Sequence, residues 1–149
     1  MRLEEIIKQT KGFKNEVQKL IVNLHYRNSV ISNRLEQSFK KYHITKQQYN
    51  ILRILRGIDT NAISINELKG RMIEQNSDVS RLISRLDAKG LVERCICNVD
   101  RRQMDIKITE KGLELLNDLD DKIDDFDYLI PGITEQDAKT VNDILDMIK

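Results

Sequence analysis

The 149-residue chain has little of what breaks, cross-links or anchors a protein. One proline, Pro131, and six glycines leave long stretches without a breaker, and with one residue in three charged this is the composition of a helix-rich soluble protein. The two cysteines, Cys95 and Cys97, stand two positions apart on one strand-like run, which speaks against a structural disulfide between them. The only histidines are His25 and His43, and no His-x3-His or Cys-x2-Cys spacing occurs. Compact zinc motifs are thereby excluded, leaving only a site assembled from distant ligands in a dimer. There is no glycine-rich phosphate loop and no nucleophile motif, and His25 has no evident acid–base partner. The expectation is a non-enzyme with no catalytic residues, no metal and no cofactor. No apolar run is long enough to span a bilayer, and the first residues lack an apolar signal core, so a cytoplasmic location is the default expectation.

Charge is uneven along the chain. Residues 1–44 carry nine Lys/Arg against four Asp/Glu, and residues 45–112 carry 13 against nine. Residues 113–149 carry three against 11. The basic parts can face phosphate while the acidic end stays away from it. The plainer alternative is that the acids are solvated helix faces.

The most informative stretch runs from Asn76 to Thr109. Val79, Leu82, Ile83 and Leu86 fall at i, i+3, i+4 and i+7, one apolar stripe of a helix spanning Ser77 to Lys89. At about 100° per residue, Ser77, Arg81 and Ser84 lie opposite the stripe, with Ser80 and Arg85 on its flanks. Gly90 suits the position just past the helix end. Leu91 to Cys97 reads as a strand, Asn98 to Arg102 as a polar basic tip, and Gln103 to Thr109 as a half-buried returning strand.

Upstream, Leu3, Ile6 and Ile7 predict a short helix within Met1 to Thr10. Phe13 to Tyr42 is one long periodic segment, with Phe13, Val17, Leu20, Ile21, Leu24, Ile31, Leu35 and Phe39 at three- and four-residue steps. Thr45 with Gln48 predicts a capping box, and either Tyr49, Leu52 and Leu55 or Ile51 and Ile54 point inward. Gly57 to Ala62 is a loop. Ser64 with Glu67 predicts a second capping box for a helix to Ile73, and Glu74 and Gln75 form the turn into Ser77. Downstream, Thr109 to Gly112 opens a long helix with Leu113, Leu116, Leu119, Ile123 and Phe126 on its apolar side. After Pro131-Gly132, Thr134 and Asp137 start a last helix with Ala138, Val141, Ile144, Leu145 and Ile148 inward. The order of elements is that of a winged helix-turn-helix: mainly α, with a small two- or three-stranded β-wing.

The run VSRLISRLDAKGLVER, then DRR, then IKITEKG, together with ITKQQYNILRIL upstream, resembles the MarR family of bacterial transcription regulators. The likeness is strongest from Ile44 to Leu116. It implies a homodimer that binds double-stranded DNA at a pseudo-palindromic operator, as a repressor, with one recognition helix per half-site. Residues 1–44 and 113–149 would be dimerisation helices around a DNA-binding lobe at 45–112, all within one structural domain. On the recognition helix, Arg81 and Arg85 are placed for guanine edges or phosphates, and Ser77 and Ser80 sit where free backbone N–H groups favour phosphate. Ser84 shares that exposed face, and Asn76 is suited to either kind of contact. Asp78 is set either to accept from a cytosine amino group or to hold Arg81 or Arg85. The alternative for this face is an ordinary solvated one.

At the wing, the family's Asp-x-Arg pattern matches Asp100-Arg101-Arg102. It implies that Arg102 enters the minor groove while Asp100 steadies it; a narrow A·T-rich groove would attract it. Gln103 stands where the family often has a small residue. The family's peroxide sensors carry their cysteine in the first long helix, where this chain has none, so Cys95 and Cys97 read as strand packing rather than redox sensors. Many members bind small aromatic acids between dimer helices and DNA-binding lobe; His25, Tyr26, Tyr42 and Tyr49 could line such a pocket, or be core. Two competing functions are a winged-helix protein-interaction module and a DNA binder without an operator.

Overall fold

Asn15 opens the longest helix of the fold. The structure is a computed structural model that describes residues 2–58, 62–74, 77–96, 104–123 and 129–148. A single turn, α1 (Leu3–Ile6), precedes α2 (Glu16–Lys40), where the side chain of Asn15 accepts from the Gln18 N–H. Phe13 therefore lies before the helix rather than on its stripe. α2 ends in a turn where His43 adopts left-handed backbone, φ 54°, a conformation that histidine tolerates better than most side chains. α3 (Lys46–Arg56) starts with the expected capping box between Thr45 and Gln48. Its inward face combines the two expected sets: Ile51, Leu52 and Leu55 are buried, whereas Tyr49 and Ile54 are half-buried. Each fully buried Ile or Leu contributes on the order of 1.5–3 kcal/mol.

A two-residue strand, β1 (Ile63–Ser64), leads into α4 (Ile65–Arg71). Ser64 caps α4 by accepting from the Glu67 N–H, but the capping box is not reciprocated: the Glu67 carboxylate takes Arg71 Nη2 at 2.6 Å instead. α5 (Val79–Ala88) follows, then β2 (Val92–Ile96), β3 (Met104–Ile108), α6 (Glu110–Ile123) and α7 (Glu135–Leu145). The sheet is antiparallel in the order β1-β3-β2, so the wing has three strands, with Ile63 opposite Ile106 and Val92 opposite Ile108. The sequence left the third strand open because two residues show no alternation.

One apolar cluster joins the elements. It contains Phe39 of α2, the α3 and α5 stripes, Leu68, Met72, Leu91, Val92 and Ile106, and Leu116 and Leu119 of α6. Polar ties reinforce the α3–α6 contact: Arg56 meets Asp120 at 2.5 Å, and the Tyr49 hydroxyl donates to the same carboxylate at 3.4 Å. α7 departs from expectation. Its capping box of Thr134 and Asp137 is present, but Val141, Ile144 and Ile148 are exposed rather than inward. Val17, Leu20, Ile21 and Leu24 of α2 are exposed as well. Among the described residues these two faces hold most of the large apolar side chains that stay exposed. Among the described residues no helix is long and apolar enough to cross a membrane.

Candidate nucleic-acid interface

The turn from α4 to α5 places a polar, cationic helix face at the surface. Val79, Ile83 and Leu86 are buried, and Ser80, Arg81, Ser84 and Arg85 are exposed on the other side. The helix begins at Val79, two residues later than expected, so half-buried Ser77 precedes it rather than forming its first turn. Asp78 is the cap: its carboxylate accepts from the Arg81 N–H at 3.1 Å. An acid at this end satisfies an orphan donor and complements the helix dipole. That bond alone gives an acid a reason to stand at this position.

The far end closes as Gly90 required. With φ at +69°, Gly90 donates to Asp87 O and Leu91 donates to Leu86 O, the paired bonds of a Schellman motif. That turn directs β2 back along α5. Arg94, which the sequence reading did not single out, then reaches from β2 to α5, with Nε 3.3 Å from Asp87 and Nη2 2.9 Å from Ser84 Oγ. Ser84 Oγ also donates to Ser80 O at 3.0 Å. Its hydroxyl is therefore engaged in joining helix and wing. Strand alternation alone could not reveal this, because Arg94 lies opposite buried Ile106 on the sheet face that turns toward the helix.

Beyond Arg94 the same face carries Ile96 and Met104, paired across the strands and exposed, where the sheet passes the edge of the core. On the other face Lys107 pairs with Glu93 at 2.6 Å, and that bond raises the lysine pKa. Cys95 is half-buried there, its Sγ 3.6 Å from Asp105 O. Asn76, Cys97, Asp100, Arg101 and Arg102 lie outside the described residues.

The N-terminus of α3 lies beside α5. Thr45, Gln47, Ser77, Asp78, Arg81, Leu82 and Arg85 line a shallow open depression of about 300 Å³. Behind it, a second cavity of about 550 Å³ lies between α2, α3 and the turn after α4, lined by Ile31, Leu35, Phe39, Tyr49, Ile54 and Met72 among apolar groups and by Lys46 and Arg53 among cations. Of the four aromatic-pocket candidates, Tyr49 lines this cavity. His25 is exposed on α2, Tyr26 lies under the Arg27 guanidinium, and Tyr42 donates to Asp118 O at 3.4 Å. In the cavity lining the Glu74 carboxylate takes Lys46 and Gln47, each at 2.9 Å, and these bonds hold its pKa below the usual range.

Comparison with known proteins agrees with this geometry. Residues 44–104 match the family model described as MarR family. The chain is 29% identical over 89 residues to the HTH-type transcriptional regulator PecS of Dickeya dadantii, covering 59% of this chain and only about half, 54%, of that protein. It is 26% identical over 127 residues to the HTH-type transcriptional regulator MgrA of Staphylococcus aureus, covering 85% of this chain and 79% of MgrA. In fold it is similar to a mutant MarR from E. coli crystallised with operator DNA, with a TM-score of 0.80 at 23% identity, covering 93% of this chain and 99% of the other. A helix-turn-helix and an antiparallel wing thus come together in the stretch where residues 44–104 match the MarR family model, and the fold around them is similar to that of a solved MarR.

Proposed function

We propose that this protein binds double-stranded DNA as a homodimer, inserts one α5 per half-site of a pseudo-palindromic operator, and represses transcription there. The observation that carries the reading is the outer face of α5, where Arg81 and Arg85 stand exposed on a helix whose opposite face is buried in the lobe. A rigid helix with outward guanidinium groups suits bidentate contacts to guanine in a major groove. The crystallised operator complex of the E. coli relative supports the DNA partner. Ser77, Ser80 and Asn76 serve phosphate or base contacts at the helix entry, and Arg102, steadied by Asp100 and flanked by Arg101, reads the minor groove. The exposed apolar faces of α2 and α7 support the dimer, because each would be covered by a second copy. A small aromatic effector, seated against Tyr49 in the larger cavity, would act by binding the two dimer states with different affinity.

Selection of bound fragments from random or genomic DNA tests the reading. The expected product is a two-fold site whose halves are about 34 Å apart, one helical turn. Recovery of fragments without common sequence would identify a non-specific DNA binder, and recovery of none would point to protein contacts by the wing.

A further inference from the structure

We propose that Lys46, Gln47 and Asn50 of α3 are positioning residues for α5, a role that rests on the DNA-binding reading above. Their point of action is the pair Ile73-Glu74. Asn50 Oδ1 accepts from the Ile73 N–H at 3.2 Å, and the Glu74 carboxylate is gripped by Lys46 Nζ and Gln47 Nε2, each at 2.9 Å. The backbone then carries this attachment forward. Glu74 O accepts from the Ser77 N–H at 3.2 Å, Ser77 O accepts from the Val79 N–H at 2.9 Å, and the Asp78 cap opens α5. Two consecutive residues of the entering turn are thus pinned to a helix whose own face is fully buried through Ile51 and Leu52.

Burial does little for the turn itself past Met72, since Ile73 is 84% exposed. Nor is the ion pair a source of global stability. Its side chains are 33% and 43% exposed, and pairs of that kind are screened by solvent. What the contacts supply is a direction: they set where the first turn of α5, with Arg81, leaves the lobe. Gln47 also lines the depression that holds Arg81 and Arg85, so the clamp and the cationic face are neighbours.

Charge makes the proposal sharply testable. If Glu74 acted only through its charge near DNA, its removal would tighten binding to every duplex. As a clamp partner, its removal must weaken binding to the operator alone. The experiment uses the full chain, Glu74→Gln and the exchange variant Lys46→Glu with Glu74→Lys. Affinity is measured on the selected operator and on a random duplex, and amide hydrogen exchange is followed without DNA. Glu74→Gln is expected to bind the operator about two- to five-fold more weakly, the span a half-exposed ion pair carries, and the random duplex no more weakly. Exchange should accelerate at residues 77–81 and stay unchanged at residues 51–55, and the exchange variant should restore both. Unchanged exchange at residues 77–81 with operator affinity equal to or above that of the unmodified protein would overturn the proposal. If the unmodified protein selects no duplex, the DNA reading fails, and unchanged exchange in Glu74→Gln then overturns the clamp by itself.

Discussion

At the scale of single residues, the cations of the candidate interface divide into those aimed outward and those paired with an acid. Arg81 projects from the exposed face of α5, whereas Lys107 is paired with Glu93 on the outer face of the wing. Arg81→Ala is expected to cost about 1–3 kcal/mol on the operator and much less on random DNA, because a base contact is lost. Lys107→Ala is expected to give at most a small, uniform, salt-sensitive loss. Affinities on both duplexes at two salt concentrations check the contrast, and equal losses for both variants on every duplex would remove base reading from α5. Arg102→Ala, in the wing, is expected to weaken binding chiefly where the flank is A·T-rich; replacing that flank in the operator should erase the difference between variant and parent.

At the scale of elements, the ends and crossings of helices decide more than their stripes. Gly112 sits in the first turn of α6, where an added Cβ would lie 2.3 Å from Leu91 O and 2.7 Å from Ile108 Cγ1. The carbonyl belongs to backbone and cannot step aside cheaply. Gly112→Ala is expected to destabilise the fold by about 1–3 kcal/mol, the usual cost of overpacking, read as a lower denaturation midpoint in urea. Asp78→Ala removes the cap of α5 and is expected to cost about 0.5–2 kcal/mol in the same titration. Asp78→Asn keeps the acceptor and should recover most of that loss. The sequence made Asp78 ambiguous because an acid near a DNA-facing helix admits several partners. The fold adds a further partner, the Arg81 N–H, which only the start of α5 puts within reach.

At the scale of the whole molecule, the unpartnered surfaces face the question of assembly. Val17, Leu20, Ile21 and Leu24 on α2, with Val141, Ile144, Met147 and Ile148 at the end of the chain, are large apolar side chains left in water by a single copy. A dimer is expected at micromolar concentration in sedimentation; a stable folded monomer of about the 17.4 kDa chain mass would count against it. Ile144→Glu is expected to weaken association without unfolding the lobe, since Ile144 lies outside the buried cluster. DNA binding should fall with it, as two half-sites need two lobes held together.

Local spacing in the sequence was enough for the order of the helices and of β2 and β3, the inward stripe of α5, the Thr45 and Thr134 caps and the Gly90 turn. All of these are local: they depend on side chains three or four residues apart, or on a backbone angle that glycine accepts readily. The same locality limited it. Which of the two α3 sets faces inward, that Arg94 grips Ser84 and Asp87, that Gly112 admits no side chain, and that Lys46, Gln47 and Asn50 hold Ile73 and Glu74 all depend on segments far apart in the chain. Only the tertiary structure brings those partners within bonding distance. The same holds for α7, whose apolar spacing promised burial without saying against what; among the described residues Val141 and Ile144 stay exposed, because burial needs a partner surface that local spacing does not specify.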